Sequence, residues 1–144
     1  MIDGVIITPL DVIDTIGGDV LHGIKSTDQG YSTFGEAYFS IIEFGAIKGW
    51  KRHREMTLNL IVPVGAVRFI LYEDRNNQSG IQHFQEVTLS RSDNYARLTV
   101  PPLIWMGFQG LDQQASLLLN IASIEHSANE IDRKAIHEIE FNWS

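Results

Sequence analysis

Seven short runs rich in valine, isoleucine, leucine, phenylalanine and tyrosine recur along the chain, and this rhythm limits the possible folds more than any other feature. The runs are Val5 to Ile7, Ala37 to Phe44, Leu58 to Val62, Ala66 to Tyr72, Phe84 to Leu89, Ala96 to Val100 and Ser116 to Ala122. Between them stand turn-forming segments: Pro63-Val64-Gly65, the polar stretch from Glu73 to Gly80, Ser90 to Asn94, Pro101-Pro102, and Gly110 to Gln113. Residues of this type at about 10- to 20-residue spacing predict strands that fold back on one another, an all-β sandwich or barrel. No long segment carries a 3.6-residue apolar stripe, so helices are expected to be minor. One short C-terminal helix is expected over Ser127 to Lys134, where Ser127 and Glu130 have the spacing of a capping box. A chain of 144 residues suits a single domain spanning residues 1–144.

Charge narrows the function classes. Lys plus Arg total 11 against 18 Asp plus Glu, a net charge of −7, which argues against nucleic acid or an anionic membrane as partner. With no cysteine, thiolate metal sites and cysteine nucleophiles are excluded. The N-terminus lacks the basic start and apolar stretch of a secretory signal, and no apolar run approaches membrane-spanning length, so a cytoplasmic protein is expected. Against this acidic background Lys48 to Arg54 reads KGWKRHR. Such a segment is either a solvated turn or an anion pocket in which Lys and Arg meet phosphates and Trp50 stacks on a ring. If it is a strand, alternation puts Lys51 and His53 on one face and Arg52 and Arg54 on the other.

The spacing around this segment fits the first motif of the cupins, small jelly-roll β-barrels. Gly45, five residues, Lys51, one residue, His53, four residues, Leu58, six residues and Gly65 reproduce its frame, and Pro101, Leu103 and Met106 occupy the second motif. A metal-binding cupin offers His, Glu and His where this chain has Lys51, Leu58 and Met106. His53 alone is no three-ligand site, so a metal-free barrel is expected. Within the cupins the chain resembles the dTDP-4-dehydrorhamnose 3,5-epimerases and the sugar-nucleotide 3,4-ketoisomerases. The resemblance is carried by Gly45 to His53 (GAIKGWKRH), Val64 to Arg75 (VGAVRFILYEDR), Val100 to Phe108 (VPPLIWMGF) and Glu130 to Trp143 (EIDRKAIHEIEFNW).

The resemblance implies a jelly-roll homodimer that binds a nucleotide-diphosphate sugar, needs no cofactor, and removes a proton beside a 4-keto group as an epimerase or isomerase. The epimerases' base His falls on Lys51, and the second His of the ketoisomerases' His-x-His pair falls on His53. The family's acid Tyr falls near Glu125 and His126, which thereby become candidates for returning the proton. The acidic partner of the base falls around Asp132 and Arg133. Substrate contacts are implied for Trp50, Arg68, Arg75, Trp105 and Met106, the two arginines as diphosphate ligands because a guanidinium fork suits phosphate oxygens. Tyr38, Phe39, Phe69 and Tyr72 read as strand packing. Loss of the family His at two positions leaves a second reading, a cupin that binds a nucleotide sugar without turning it over.

Overall fold

The computed structural model describes residues 1–74 and 83–144. Its strands are β1 (Ile6–Pro9), β2 (Val12–Ile13), β3 (Val20–Leu21), β4 (Glu36–Ile42), β5 (Ile47–His53) and β6 (Leu58–Val64). They continue with β7 (Ala66–Glu73), β8 (His83–Ser90), β9 (Ala96–Val100), β10 (Trp105–Gly110), β11 (Ser116–Ala122) and β12 (Ile131–Arg133). Each of the seven expected runs lies on a strand, while β5 and β10 cover segments with fewer aliphatic residues.

Two five-stranded antiparallel sheets face each other, ordered β1-β9-β6-β11-β4 and β12-β5-β10-β7-β8, with β2 and β3 forming a separate ribbon. Between the sheets lie the alternate residues of facing strands: Leu60 and Val62, Val67, Phe69 and Leu71, Leu89, Leu98 and Leu118, all fully buried. Period-two alternation thus fills one face of each strand, and this burial is the main stabilising term.

Unlike a regular sandwich, the second sheet also buries its other face. Trp50, Ile70 and Trp105 there pack with Tyr72 and Phe84 against Ile136, Ile139, Phe141 and Trp143 of the C-terminal segment. Trp50 Nε1 donates to the Ile136 carbonyl at 3.1 Å, and the Trp50 and Trp143 rings stand 5.5 Å apart. The segment fits closely because Gly107 presents no side chain. A Cβ there would lie 3.0 Å from Trp143 Cζ2 and 3.1 Å from Trp50 Cε3.

The expected helix over Ser127 to Lys134 does not form. A single 3-10 turn, Ala128–Glu130, leads directly into β12, and Ser127 makes no capping hydrogen bond. Glu130 is drawn away from any capping role by stronger donors within the fold. Among the described residues no helix is long and apolar enough to cross a membrane.

Candidate active site

At the β4 and β12 edges the two sheets part around a cavity of about 550 Å3. Its floor is apolar, with Met56, Leu58, Val100, Pro101 and Ile104, and its two walls carry different chemistry.

The wall built by the second sheet is cationic. β5 pairs with β10 so that Lys51 lies opposite Met106 and Lys48 opposite Phe108, with a register shift between. Three residues on β5 therefore span two on β10, a β-bulge at Gly49 and Trp50. Backbones meet closely there, since a Cβ on Gly49 would stand 2.9 Å from Gly107 Cα. The bulge turns Lys48 to the same side as Lys51 and His53, and all three line the cavity. On the other flank β12 pairs with β5, setting Ile131 opposite His53, Asp132 opposite Arg52 and Arg133 opposite Lys51. Arg133 thus joins the cationic wall, whereas Lys134 only borders the cavity and carries its ammonium 4.9 Å from the ring centre of Trp105.

His53 is held by Glu130. Its Nδ1 stands 2.5 Å from Glu130 Oε1, and the two side chains are 12% and 6% exposed. The other carboxylate oxygen accepts backbone N–H bonds from Glu55 and Met56, each at 3.2 Å. Burial raises the Glu130 carboxyl, but the His53 hydrogen bond and the two backbone amides outweigh it and hold the pKa below the ordinary carboxylate value. An ionised Glu130 fixes the imidazole with Nδ1–H as donor and leaves Nε2 without a partner among the described residues. This is how a carboxylate prepares a histidine to take a proton. Lys51 differs in having no hydrogen bond or ion pair among the described residues. Burial first, then the charges of Arg133 and Lys48, lowers its pKa below the usual lysine value.

The wall built by the first sheet is polar and uncharged. Tyr38 and Ser40 on β4 face the cavity with Asn120 on β11, whose amide donates to Ser40 Oγ at 3.1 Å. Withdrawal from water, helped by the nearby Glu36 carboxylate, raises the Tyr38 pKa, so the phenol keeps its proton at neutral pH.

Other residues singled out in the sequence lie elsewhere. Glu125 and His126 are exposed and absent from the cavity wall, and the His126 amide donates to Glu36. The chain in that region runs outward after β11, which removes both from reach of the site. Arg68 lies on the outer face of β7, bonded to Glu86 at 2.9 Å and to the Trp143 carbonyl at 3.2 Å, so it braces the tail rather than the cavity. Trp105 turns to the same outer face, 2% exposed, with Nε1 donating to Asp74 and the Arg52 guanidinium 4.7 Å from its ring centre. Trp50 borders the cavity, but its indole is buried against the tail. Neither ring is free to stack on a base. Met106 lines the cavity, and Arg75 lies outside the described residues. Glu130, rather than Asp132, partners His53, because Asp132 points outward to Arg52 and Arg54. Among the described residues no group of three His, Asp or Glu side chains gathers in a form suited to a metal ion.

No protein-family model matches the chain. Its structure superposes on the crystal structure of a dTDP sugar isomerase from Desulfovibrio desulfuricans with a TM-score of 0.91 and 36% identity, over 98% of this chain and 91% of that one. The chain belongs to the dTDP-sugar isomerase family. A dTDP-4-dehydrorhamnose 3,5-epimerase from Sulfolobus tokodaii superposes at a TM-score of 0.81 with 20% identity, over 96% of this chain and 81% of that one. For a sugar 3,4-ketoisomerase from Thermoanaerobacterium thermosaccharolyticum, solved with TDP, the values are 0.75 and 18%, over 93% and 90% of the two chains. These two share the fold of this dTDP-sugar isomerase family member. A probable low-salt glycan biosynthesis epimerase of Haloferax volcanii is 25% identical over 101 residues, covering 69% of this chain and 64% of that protein.

Proposed function

We propose that this protein is a metal-independent isomerase or epimerase acting on a 4-keto nucleotide-diphosphate sugar, within a cupin jelly roll. The observation that carries the reading is the His53–Glu130 pair on one cavity wall with the protonated Tyr38 on the other. His53 Nε2 removes the proton beside the ketone. The positive charge of the β5 wall stabilises the enolate, and Tyr38 returns a proton to the opposite face of the sugar ring. Proton removal and return from opposite sheets is the requirement for inverting a carbon centre. Lys48 and Arg133 take the diphosphate, the role the resemblance implied for Arg68 and Arg75. A purely binding role gives no account of a buried carboxylate held ionised behind a histidine.

Exposed Phe39 and Ile41 on the edge strand β4, with Phe34 and Phe44 at its ends, support a homodimer formed through that face. Light scattering on the purified protein tests this, and a monomer at micromolar concentration would contradict it. A cytoplasmic location agrees with a nucleotide-sugar substrate, and export of a tagged chain would contradict it.

The activity is tested by NMR in deuterated water with dTDP-4-keto-6-deoxyglucose. The native protein introduces deuterium at a carbon next to the ketone, and His53→Ala abolishes it. Tyr38→Phe keeps the exchange but forms no inverted product. Binding of dTDP without exchange on any 4-keto sugar would show a binding protein.

A further inference from the structure

Lys51 is the cavity side chain that the proton-transfer scheme leaves least used. Its cross-strand neighbours are Met106, which is apolar, and Arg133, which carries the same charge. Like charges directly opposite on neighbouring strands destabilise a sheet, so this pair has a cost to the empty protein. The nearby carboxylates offer no relief. Glu130 is engaged by His53 and two backbone amides, and Asp132 points to the other face with Arg52 and Arg54. Along β5, Lys51 stands between His53 and Lys48, two residues, or about 6.6 Å of strand, from the imidazole. A sugar with its diphosphate toward Lys48 and Arg133 and its reacting carbon at His53 has its carbonyl region beside Lys51.

We propose that Lys51 forms an imine with the ketone of the substrate, so that His53 removes the proton from an iminium ion rather than from the free ketone. This rests on the keto-sugar reading given above. The neutral amine adds to the carbonyl carbon to give a carbinolamine. Its hydroxyl takes up one proton and leaves as water, and the C=N bond forms. His53 takes the proton from the neighbouring carbon, and the C–H electron pair moves toward nitrogen to give a neutral enamine. Reprotonation of that carbon restores the iminium, and water then adds to release ketone and amine. An amine among cations, partly removed from water, has the unprotonated fraction that such addition requires, as the lowered pKa of Lys51 also indicates.

Borohydride reduction followed by peptide mapping tests the proposal. With dTDP-4-keto-6-deoxyglucose present, reduction gives a substrate adduct on Lys51 and none on Lys25, and Lys51→Arg gives no adduct. Lys51→Arg keeps the charge but forms no imine, and it lowers deuterium exchange by about 100-fold or more. Exchange by native protein without a Lys51 adduct overturns the proposal, as does Lys51→Arg exchanging within about threefold of native. If this sugar neither binds nor exchanges, the substrate reading fails, and pyridoxal phosphate, a phosphorylated aldehyde, then decides on the amine itself. Selective reduction onto Lys51 supports the proposal, and equal labelling of Lys25 and Lys51 overturns it.

Discussion

The two faces of β5 use similar residues for opposite ends. On the outer face Arg52 bonds Asp132 at 2.9 Å and Asp74 at 3.2 Å, and Arg54 bonds the other Asp132 oxygen at 2.6 Å. Each cation there has a carboxylate partner, and Trp50 beside them is covered by the tail. On the inner face Lys48, Lys51 and Arg133 face a cavity, and the carboxylate closest to them is reserved for His53. Charge that is neutralised within the fold ties strands together. Charge left without a partner among the described residues is held ready for an anionic or electrophilic ligand, and the protein is less stable for it.

The largest effects are expected where the inner face performs chemistry. Replacing His53 by Ala, or Glu130 by Gln, lowers turnover of a keto sugar by about 100- to 10,000-fold, measured by NMR rate. Glu130→Gln also lowers the thermal transition in calorimetry, because the ionised carboxylate that holds His53 and two backbone amides is lost. Full activity in Glu130→Gln would remove the carboxylate from the mechanism. Next comes the covered side of the sheet. Gly107→Ala forces Trp143 and Trp50 apart and costs about 1–3 kcal/mol by denaturant unfolding, through loss of tail packing rather than of the cavity.

Acid separates the faces further. Hydrogen bonds from Arg54 and then Arg52 hold the Asp132 carboxyl below its ordinary value of 3.8, and Glu130 lies below 4.5. Both carboxyls are more acidic folded than unfolded, so their stabilisation is complete above about pH 5. It is lost as pH falls through the ordinary carboxylate range toward the depressed values. Arg52→Met flattens this acid dependence of the melting temperature while leaving His53 in place, and an unchanged pH profile would show that the network contributes nothing. The smallest effect runs the other way: Lys51→Met raises stability by up to about 1 kcal/mol at neutral pH, because it removes a repulsive cross-strand pair, while activity falls.

Much of this architecture is legible in residue order. The seven strand-like runs persist because each contributes side chains to one shared core, and the Lys51-x-His53 spacing puts both side chains into one cavity, as period-two geometry requires. The rest depends on contacts far apart in sequence. Glu130 reads locally as part of a helix cap, yet it lies 77 residues from the histidine it holds. Tyr38 reads as packing because an edge strand with Phe39 and Ile41 gives no sign that its alternate face opens on a cavity. Arg68 and Trp105 carry the right chemistry for ligand contact but the wrong parity, since each shares a strand face with residues covered by the tail. Glu125 and His126 follow β11 at a point where the chain has already left the first sheet.

The extra residue of β5 at Gly49 and Trp50 acts as a phase slip in a two-residue code. Beyond it, toward the N-terminus, even positions turn inward where odd ones did before, so Lys48 joins Lys51 and His53 on one wall within six residues of chain. Without the slip Lys48 would point to the aromatic layer, and the inward wall would hold one lysine where it now holds two. One added backbone unit thus sets the charge density of the cavity without adding a single charge to the protein.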